Sequence, residues 1–522
     1  MNNHAKAAVV LVGIGLLALI GWHFMSPIFN DWSQKNTSDA KMSKGKITVA
    51  YDNWIGYFPL CSPEMKKQMR ASGWNWQCED DKADYPGRMQ RLKNRDIQFA
   101  VATVDSYVLN GAPKGFPGVV SIVIDESKGA DAIIARKDKT ANLNAVKGRA
   151  DLRIAYTPGS PSHHLLKVAA IHFGVPELLP PQGPRRIETN GSEEALKKLL
   201  SGEADIAVLW EPDVSRALAK GNFVKLLGTE NTEQLIVDIL LVGREFVDKN
   251  PDVVKLALST YFQVLKFYRD NPDILTREII AETKLPPDAV KSMLSGVAWV
   301  NLTDNAQQWF GVSYQGRSAD EGLFSTIEST VRILRSSGDF QSNPIPDSDP
   351  NRLIRSEYVR ELYIKGSNTG FTVPGHAGSP PVNSLEARFT PLDGSGWKGL
   401  REVGTLKIQP ITFQSGTADL SLDGKTEIDA AVEALRHYPK FRVLIKGHTG
   451  MSGDPDVNQK LSQERAESVM RYLTVTFSID PNRLKAVGIG SDEPLSRTSG
   501  ESDRAYNYRL PRVEIYLVSE VY

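Results

Sequence analysis

The sequence predicts an α/β domain built on a parallel sheet and then a smaller α+β sandwich, both behind one N-terminal hydrophobic helix. Three observations predict this. From Lys46 to about Ser367, short β-branched runs alternate with longer helical patterns, the signature of β-α-β units. From Leu400 onward a second periodic region runs β-α-β-α-β-β, an order that places helices on one face of a sheet. Between residues 7 and 25, AAVVLVGIGLLALIGWHFM carries no formally charged side chain and approaches the ~20 residues a helix needs to cross a bilayer core.

Lys6 and the terminal amine precede that stretch, so residues 1–6 are expected in the cytoplasm and everything after residue 26 in the periplasm, beyond the inner membrane. The alternative is a cleaved signal peptide. Against it stand the length of the apolar run and its end at Gly21 to Met25, which has no small-x-small cleavage site. Residues 26–45 are polar and read as a tether.

In the main domain, residues 46–366, strands are expected at Ile47 to Tyr51, Ile97 to Ala102, Val119 to Ile124, Ala132 to Ala135, Leu152 to Tyr156, Ile206 to Leu209 and Leu235 to Gly243. Helices are expected at Ser162 to Phe173, Ser192 to Ser201, Asp252 to Asp270 and Arg352 to Ile364. Residues 367–399 are rich in Gly, Pro, Ser and Asn and read as a second linker. Residues 400–522 then carry strands at Val403 to Phe413, Phe441 to Lys446, Leu484 to Gly488 and Arg512 to Val518, with helices at Asp423 to His437 and Asn458 to Thr474.

Composition limits the function. A chain of 522 residues exceeds one ordinary core, and its 41% hydrophobic and 24% charged residues fit a folded, mostly soluble protein. Lys+Arg and Asp+Glu both total 62, and no dense basic stripe marks a nucleic-acid partner. Cys61 and Cys78, the only cysteines, are expected to form a disulfide in an oxidising compartment, two buried thiols being the alternative. No metal-ligand spacing, GxSxG elbow, HExxH or phosphate-binding loop is present, so a binder without cofactor or metal is expected rather than an enzyme.

Asp52 to Leu60, DNWIGYFPL, lies where the first strand hands over to a helix, the usual ligand edge of an open α/β sheet. Ser160 is placed to cap the helix beginning at Pro161, whose free amides suit an anion, although an ordinary capped helix reads the same way. The WxGYxPL run Trp54 to Leu60, the strand after Asp96, and SGEADIAVLWEPD at Ser201 to Asp213 together resemble periplasmic solute-binding proteins of the nitrate, sulfonate and taurine type. The resemblance implies a two-lobed, type II-like periplasmic-binding-protein fold closing on a small molecule, which an ABC-type permease would receive. It nominates Trp54, Tyr57, Thr103, Asp105, Ser160, Ser162, His163, Trp210 and Glu211. The helix start suits an anion and the acids suit an amine, so the ligand's charge stays open. Asp105 as a helix cap and Glu211 paired with Arg216 are the structural alternatives.

Near the C-terminus, Asn458 to Val469 resembles the NxxLSxxRAxxV signature of OmpA-like, peptidoglycan-associated domains. That resemblance implies wall binding through His448, Thr449, Asn458, Leu461, Ser462, Arg465 and Arg512, with Arg465 gripping the free carboxylate of a diaminopimelate. Two departures bear on affinity. Gly450 stands where the family's GHTD has its Asp, and Leu510-Pro511-Arg512-Val513-Glu514 replaces NRRVE, leaving Asp454 or Asp456 as possible substitutes. The alternative to a wall-tethered receptor is an envelope scaffold or stress sensor with a degenerate cleft.

Overall fold

The computed structural model describes residues 44–312, 321–367, 389–414 and 417–519. The expected membrane span, 7–25, lies outside them, as does most of both expected linkers. Among the described residues no helix is long and apolar enough to cross a membrane.

The first strand, β1 (Gly45–Tyr51), buries all of Ile47 to Ala50, as a strand covered on both faces must. It pairs in parallel with β2 (Trp74–Asp80) and β3 (Phe99–Thr103). After β4 (Gly118–Ser127) the chain crosses into a second lobe. There it builds β5 (Asp131–Arg136), β6 (Ile154–Tyr156), β7 (Arg186–Glu188), β8 (Ile206–Trp210) and β9 (Phe223–Gly228). It returns as β10 (Val237–Gly243), and β11 (Val297–Trp299) completes the first sheet. The sheet orders are β11-β4-β10-β3-β1-β2 and β7-β6-β8-β5-β9.

These sheets are mixed, which corrects the expectation of a parallel sheet. β10 runs antiparallel between β3 and β4, and β5 runs antiparallel between β8 and β9. The cause is the double crossing between lobes, at residues 128–130 and 229–236, because each crossing delivers a strand that enters its sheet reversed. Cys61 and Cys78 are bonded, with Cα atoms 5.9 Å apart, and join the helical segment after β1 to β2.

In the C-terminal unit, β12 (Arg401–Thr405), β13 (Arg442–His448), β14 (Leu484–Gly490) and β15 (Arg512–Ser519) form a sheet ordered β12-β15-β13-β14. The helices Leu422–Arg436 and Pro455–Phe477 bury stripes at helical spacing, Ile428, Ala431, Val432 and Leu435 on one and Ser462, Ala466, Val469 and Leu473 on the other. Two elements differ from expectation. The strand predicted from Val403 to Phe413 stops at Thr405, ahead of Pro410, which has no N–H for a ladder. The helix predicted from Arg352 to Ile364 is a short 3-10 turn, Pro350–Leu353, followed by the helix Glu357–Ser367.

The C-terminal unit is docked on lobe two, and the two share one hydrophobic cluster. The Phe173 and Tyr438 rings meet at 5.4 Å between centroids, and His172 Nδ1 shares a 2.9 Å hydrogen bond with the Tyr438 hydroxyl. Leu143 N–H donates to the Val403 carbonyl and Lys407 N–H to the His172 carbonyl. A Cβ at Gly404 would lie 2.6 Å from the Phe173 ring, so glycine is what lets β12 pass this close. His437 bonds the second crossing segment, its Nδ1 lying 3.0 Å from the Glu233 carbonyl.

Candidate functional site

Strand register assembles the cleft. β1 ends in Tyr51 and hands the chain to Asp52 and Trp54, and β3 ends in Thr103. Because β10 runs the opposite way, its second residue, Asp238, pairs with Thr103 on one side and with Asp125 of β4 on the other, and Trp299 of β11 pairs with Asp125 in turn. Across the gap, Asp131 begins β5 and pairs with Trp210 at the end of β8. The space between these residues, open solvent at its mouth included, is ≈ 350 Å³. Lobe one supplies Asp52, Trp54, Tyr57, Tyr85, Thr103 and Asp238 to its wall; lobe two supplies Asp131, Pro161 and Trp210, and the second crossing supplies Ile236.

Trp54 and Trp210 are half-buried, and both line the cleft. Trp54 Nε1 donates to Asp125 Oδ1 at 3.2 Å, and the Tyr57 hydroxyl donates to Asp238. The wholly buried Arg88 holds the floor, donating to Asp52 at 3.0 Å, to Asp81 and to the Val101 carbonyl at 2.8 Å.

Burial dominates the electrostatics. Asp125 and Asp238 pair across β4 and β10, and burial pushes both carboxyls up; the charge of Asp125 raises Asp238 further, while Asp125 is raised by Asp131 and held back by hydrogen bonds with Trp54 and Asp238. Burial also pushes Asp131 up to about 7, although the Ser127 hydroxyl donates to it at 2.7 Å. Asp105 is pushed up to about 6 by burial, and its Oδ1 has no hydrogen-bond partner.

A carboxyl whose folded pKa is raised favours the folded state below its unfolded value near 3.8 and loses that contribution as pH rises through the folded value. The buried His164 and the half-buried His163 and His172, each lowered to about 3 chiefly by desolvation, act in the opposite sense below pH 6.5. The clean observable is therefore a difference. Asp131→Asn is expected to gain stability relative to wild type as pH rises from about 4 to about 7. Urea unfolding at several pH values measures it, and a pH-independent difference would contradict the assignment.

The structure brings the nominated Trp54, Tyr57, Thr103 and Trp210 together. Asp105 lies behind Thr103, which itself caps the following helix in a capping box with Ser106. Ser160 caps the helix beginning at Pro161, and its hydroxyl bonds the Thr157 carbonyl and the Ser162 hydroxyl. His163 stacks on Tyr156, and only Pro161 of this segment reaches the cleft wall. Glu211 accepts from Ser215, while Arg216 pairs with Asp213 instead. Asp52, Tyr85, Asp131 and Asp238 were not nominated from sequence; Asp52 opens the Asp52 to Leu60 stretch read as the ligand edge, whereas no local motif signals the other three.

On the C-terminal unit, the nominated residues gather where β13 and β14 end beside the start of the helix Pro455–Phe477. Thr449 N–H donates to the Gly490 carbonyl, and the Ser462 hydroxyl receives the Gly490 N–H at 2.9 Å. Thr449 Oγ1 is buried without a partner, Asn458 donates to the Ser452 carbonyl, and Leu461 is half-buried. The Arg465 guanidinium lies over the Phe413 ring at 5.1 Å and donates to the Thr417 carbonyl; no carboxylate among the described residues pairs with it. Arg512 is engaged within the chain, with Glu514 at 2.9 Å and the Leu510 and Glu493 carbonyls. His448 lies 3.2 Å from Glu514, whose carboxyl, raised by burial, is held down to about 2 by His448 and Arg512. A Cβ at Gly450 would meet open space.

Residues 412–508 match the family model described as the OmpA family. The chain is 34% identical over 100 residues to a probable lipoprotein, YiaD, of Escherichia coli (strain K12), a match covering 19% of this chain and 45% of that protein. It is 28% identical over 136 residues to the peptidoglycan-associated lipoprotein of Pseudomonas aeruginosa, covering 26% and 77%. The chain thus spans under half the length of the first of these relatives. Among solved structures it is similar to a putative periplasmic sulfonate-binding protein, SsuA, from Methylobacillus flagellatus KT, with a TM-score of 0.48 and 14% identity over 65% of this chain and 99% of that one. The chain therefore carries a C-terminal OmpA-family domain, built onto a two-lobed α/β unit with a cleft between its lobes.

Proposed function

We propose that this is an extracytoplasmic solute-binding protein that captures a small molecule between its lobes and is held at the cell wall by its C-terminal domain. The observation that carries the reading is the cleft, in which two half-buried indoles, one from each lobe, share a wall with acidic side chains. Such a pocket, apolar with a few convergent polar groups, suits a small ligand. Delivery to an ABC-type permease and anchoring in the inner membrane through residues 7–25 complete the reading, which is of a binder and not a catalyst.

Equilibrium binding by the full-length chain, scanned over sulfonates, nitrate, amines and pyrimidines, tests the receptor. Saturable binding by at least one class is expected. Wall attachment is tested separately on purified peptidoglycan. Arg465→Ala is expected to weaken retention about 10- to 100-fold, the worth of a charge-assisted hydrogen bond. Gly450→Asp, for which there is room, is expected to strengthen it. Indifference to both substitutions would argue against the wall-binding part.

The core shared by the C-terminal unit and lobe two favours a second reading, a rigid envelope scaffold linking membrane and wall. Uniform silence in the binding scan, with an intact fold, would select it.

A further inference from the structure

We propose that the cleft takes an organic cation, a protonated or quaternary amine on a small apolar or aromatic body, and disfavours sulfonates and other anions. This rests on the solute-binding reading and names the ligand's charge, which that reading leaves open.

Three carboxylates, Asp52, Asp131 and Asp238, line the wall, and none of its residues is Lys, Arg or His. Asp125 stands directly behind, beside Asp238. The nearby cations are committed elsewhere. Arg88 is held by Asp52 and Asp81, and Lys167 by Asp339 at 2.8 Å. Asp105 adds a second, independent sign. Its side chain is buried, its Oδ1 has no partner, and it is close enough to Asp131 for its charge to act there. A bound cation would draw Asp131 and the Asp125–Asp238 pair, which burial holds toward their neutral forms, into their charged forms.

The anion route is closed by the same segment that first suggested it. At the helix start, Pro161 faces the cleft and has no N–H to offer, the Ser160 and Ser162 hydroxyls bond each other at 2.9 Å, and the Ser160 hydroxyl accepts the His163 N–H. The aromatic lining fits a cation as well, since Trp54, Tyr57 and Tyr85 from one lobe and Trp210 from the other stand in the wall. Asp131 and Asp238 come from opposite lobes, so a cation held between them draws the lobes together.

Calorimetric titration of the full-length chain in detergent tests this with choline, benzylamine and benzyltrimethylammonium against benzenesulfonate, methanesulfonate and nitrate. At least one cation is expected to bind. Choline's uncharged carbon isostere, 3,3-dimethylbutan-1-ol, and the variant Asp131→Asn are each expected to lower affinity about 10- to 100-fold. Preferential binding of an anion, or equal binding of choline and its neutral isostere, would overturn the cation assignment and leave solute capture standing. Silence toward every probe by a folded chain would overturn both.

Discussion

Arg88→Ala is expected to cost about 3–5 kcal/mol of stability, the range for removing one partner of a buried ion pair. The Arg88 side chain is wholly inaccessible and joins three elements: it donates to Asp52 after β1, to Asp81 after β2 and to the Val101 carbonyl of β3. Its removal leaves two poorly hydrated carboxylates facing each other and orphans a buried carbonyl. Arg88→Lys is expected to recover only part of the loss, because a single ammonium cannot reach all three acceptors with the geometry of a guanidinium. Urea unfolding of the full chain measures both variants. A loss below about 1 kcal/mol for Arg88→Ala would mean that water enters to replace the guanidinium, and the rigid floor assigned to the cleft would then be wrong.

Phe173→Ala is expected to be of similar size, about 3–5 kcal/mol, for a different reason. Phe173 is fully buried where lobe two meets the C-terminal unit, against Tyr438 and beneath Gly404. Truncation opens a cavity in the seam, and the glycine that allowed the close approach has no side chain to fill it. The expected calorimetric outcome is a single thermal transition in wild type that splits in the variant, with the C-terminal unit melting separately. One lowered but undivided transition would indicate that the polar links of the seam, among them those from Leu143 to Val403, from Lys407 to His172 and from His437 to Glu233, suffice to couple the units.

The parts of this molecule that were legible in sequence are those whose signal is local. The buried stripe of the helix Pro455–Phe477 is written at three- and four-residue spacing, and the Trp54 and Trp210 motifs stand intact at strand ends. The strand β2 was not legible. It lies at the sheet edge, and Trp74, Trp76 and Cys78 alternate with polar residues before the run ends in Glu79 and Asp80. Asp131 and Asp238 were hidden for a stronger reason. Asp238 becomes a neighbour of Thr103 and Asp125 only through antiparallel register between strands more than a hundred residues apart, and Asp131 becomes a neighbour of Trp210 through antiparallel register across 79 residues. Register is set by the tertiary fold, so no window of sequence reports it. The ordinary role of Ser160 and Ser162, a cap satisfied within its own turn, was equally readable as a site, because capping hydroxyls and anion-binding hydroxyls look alike until their partners are known.

The hydrogen bonds across the seam run from the C-terminal unit to lobe two and to the second crossing segment at Glu230 and Glu233. In mechanical terms, lobe two is the stator and lobe one the rotor. If the proposed wall contact at Arg465 and the proposed anchor at residues 7–25 both hold, closure on a solute swings lobe one while lobe two stays with the C-terminal unit, and occupancy becomes a displacement between the two points of attachment.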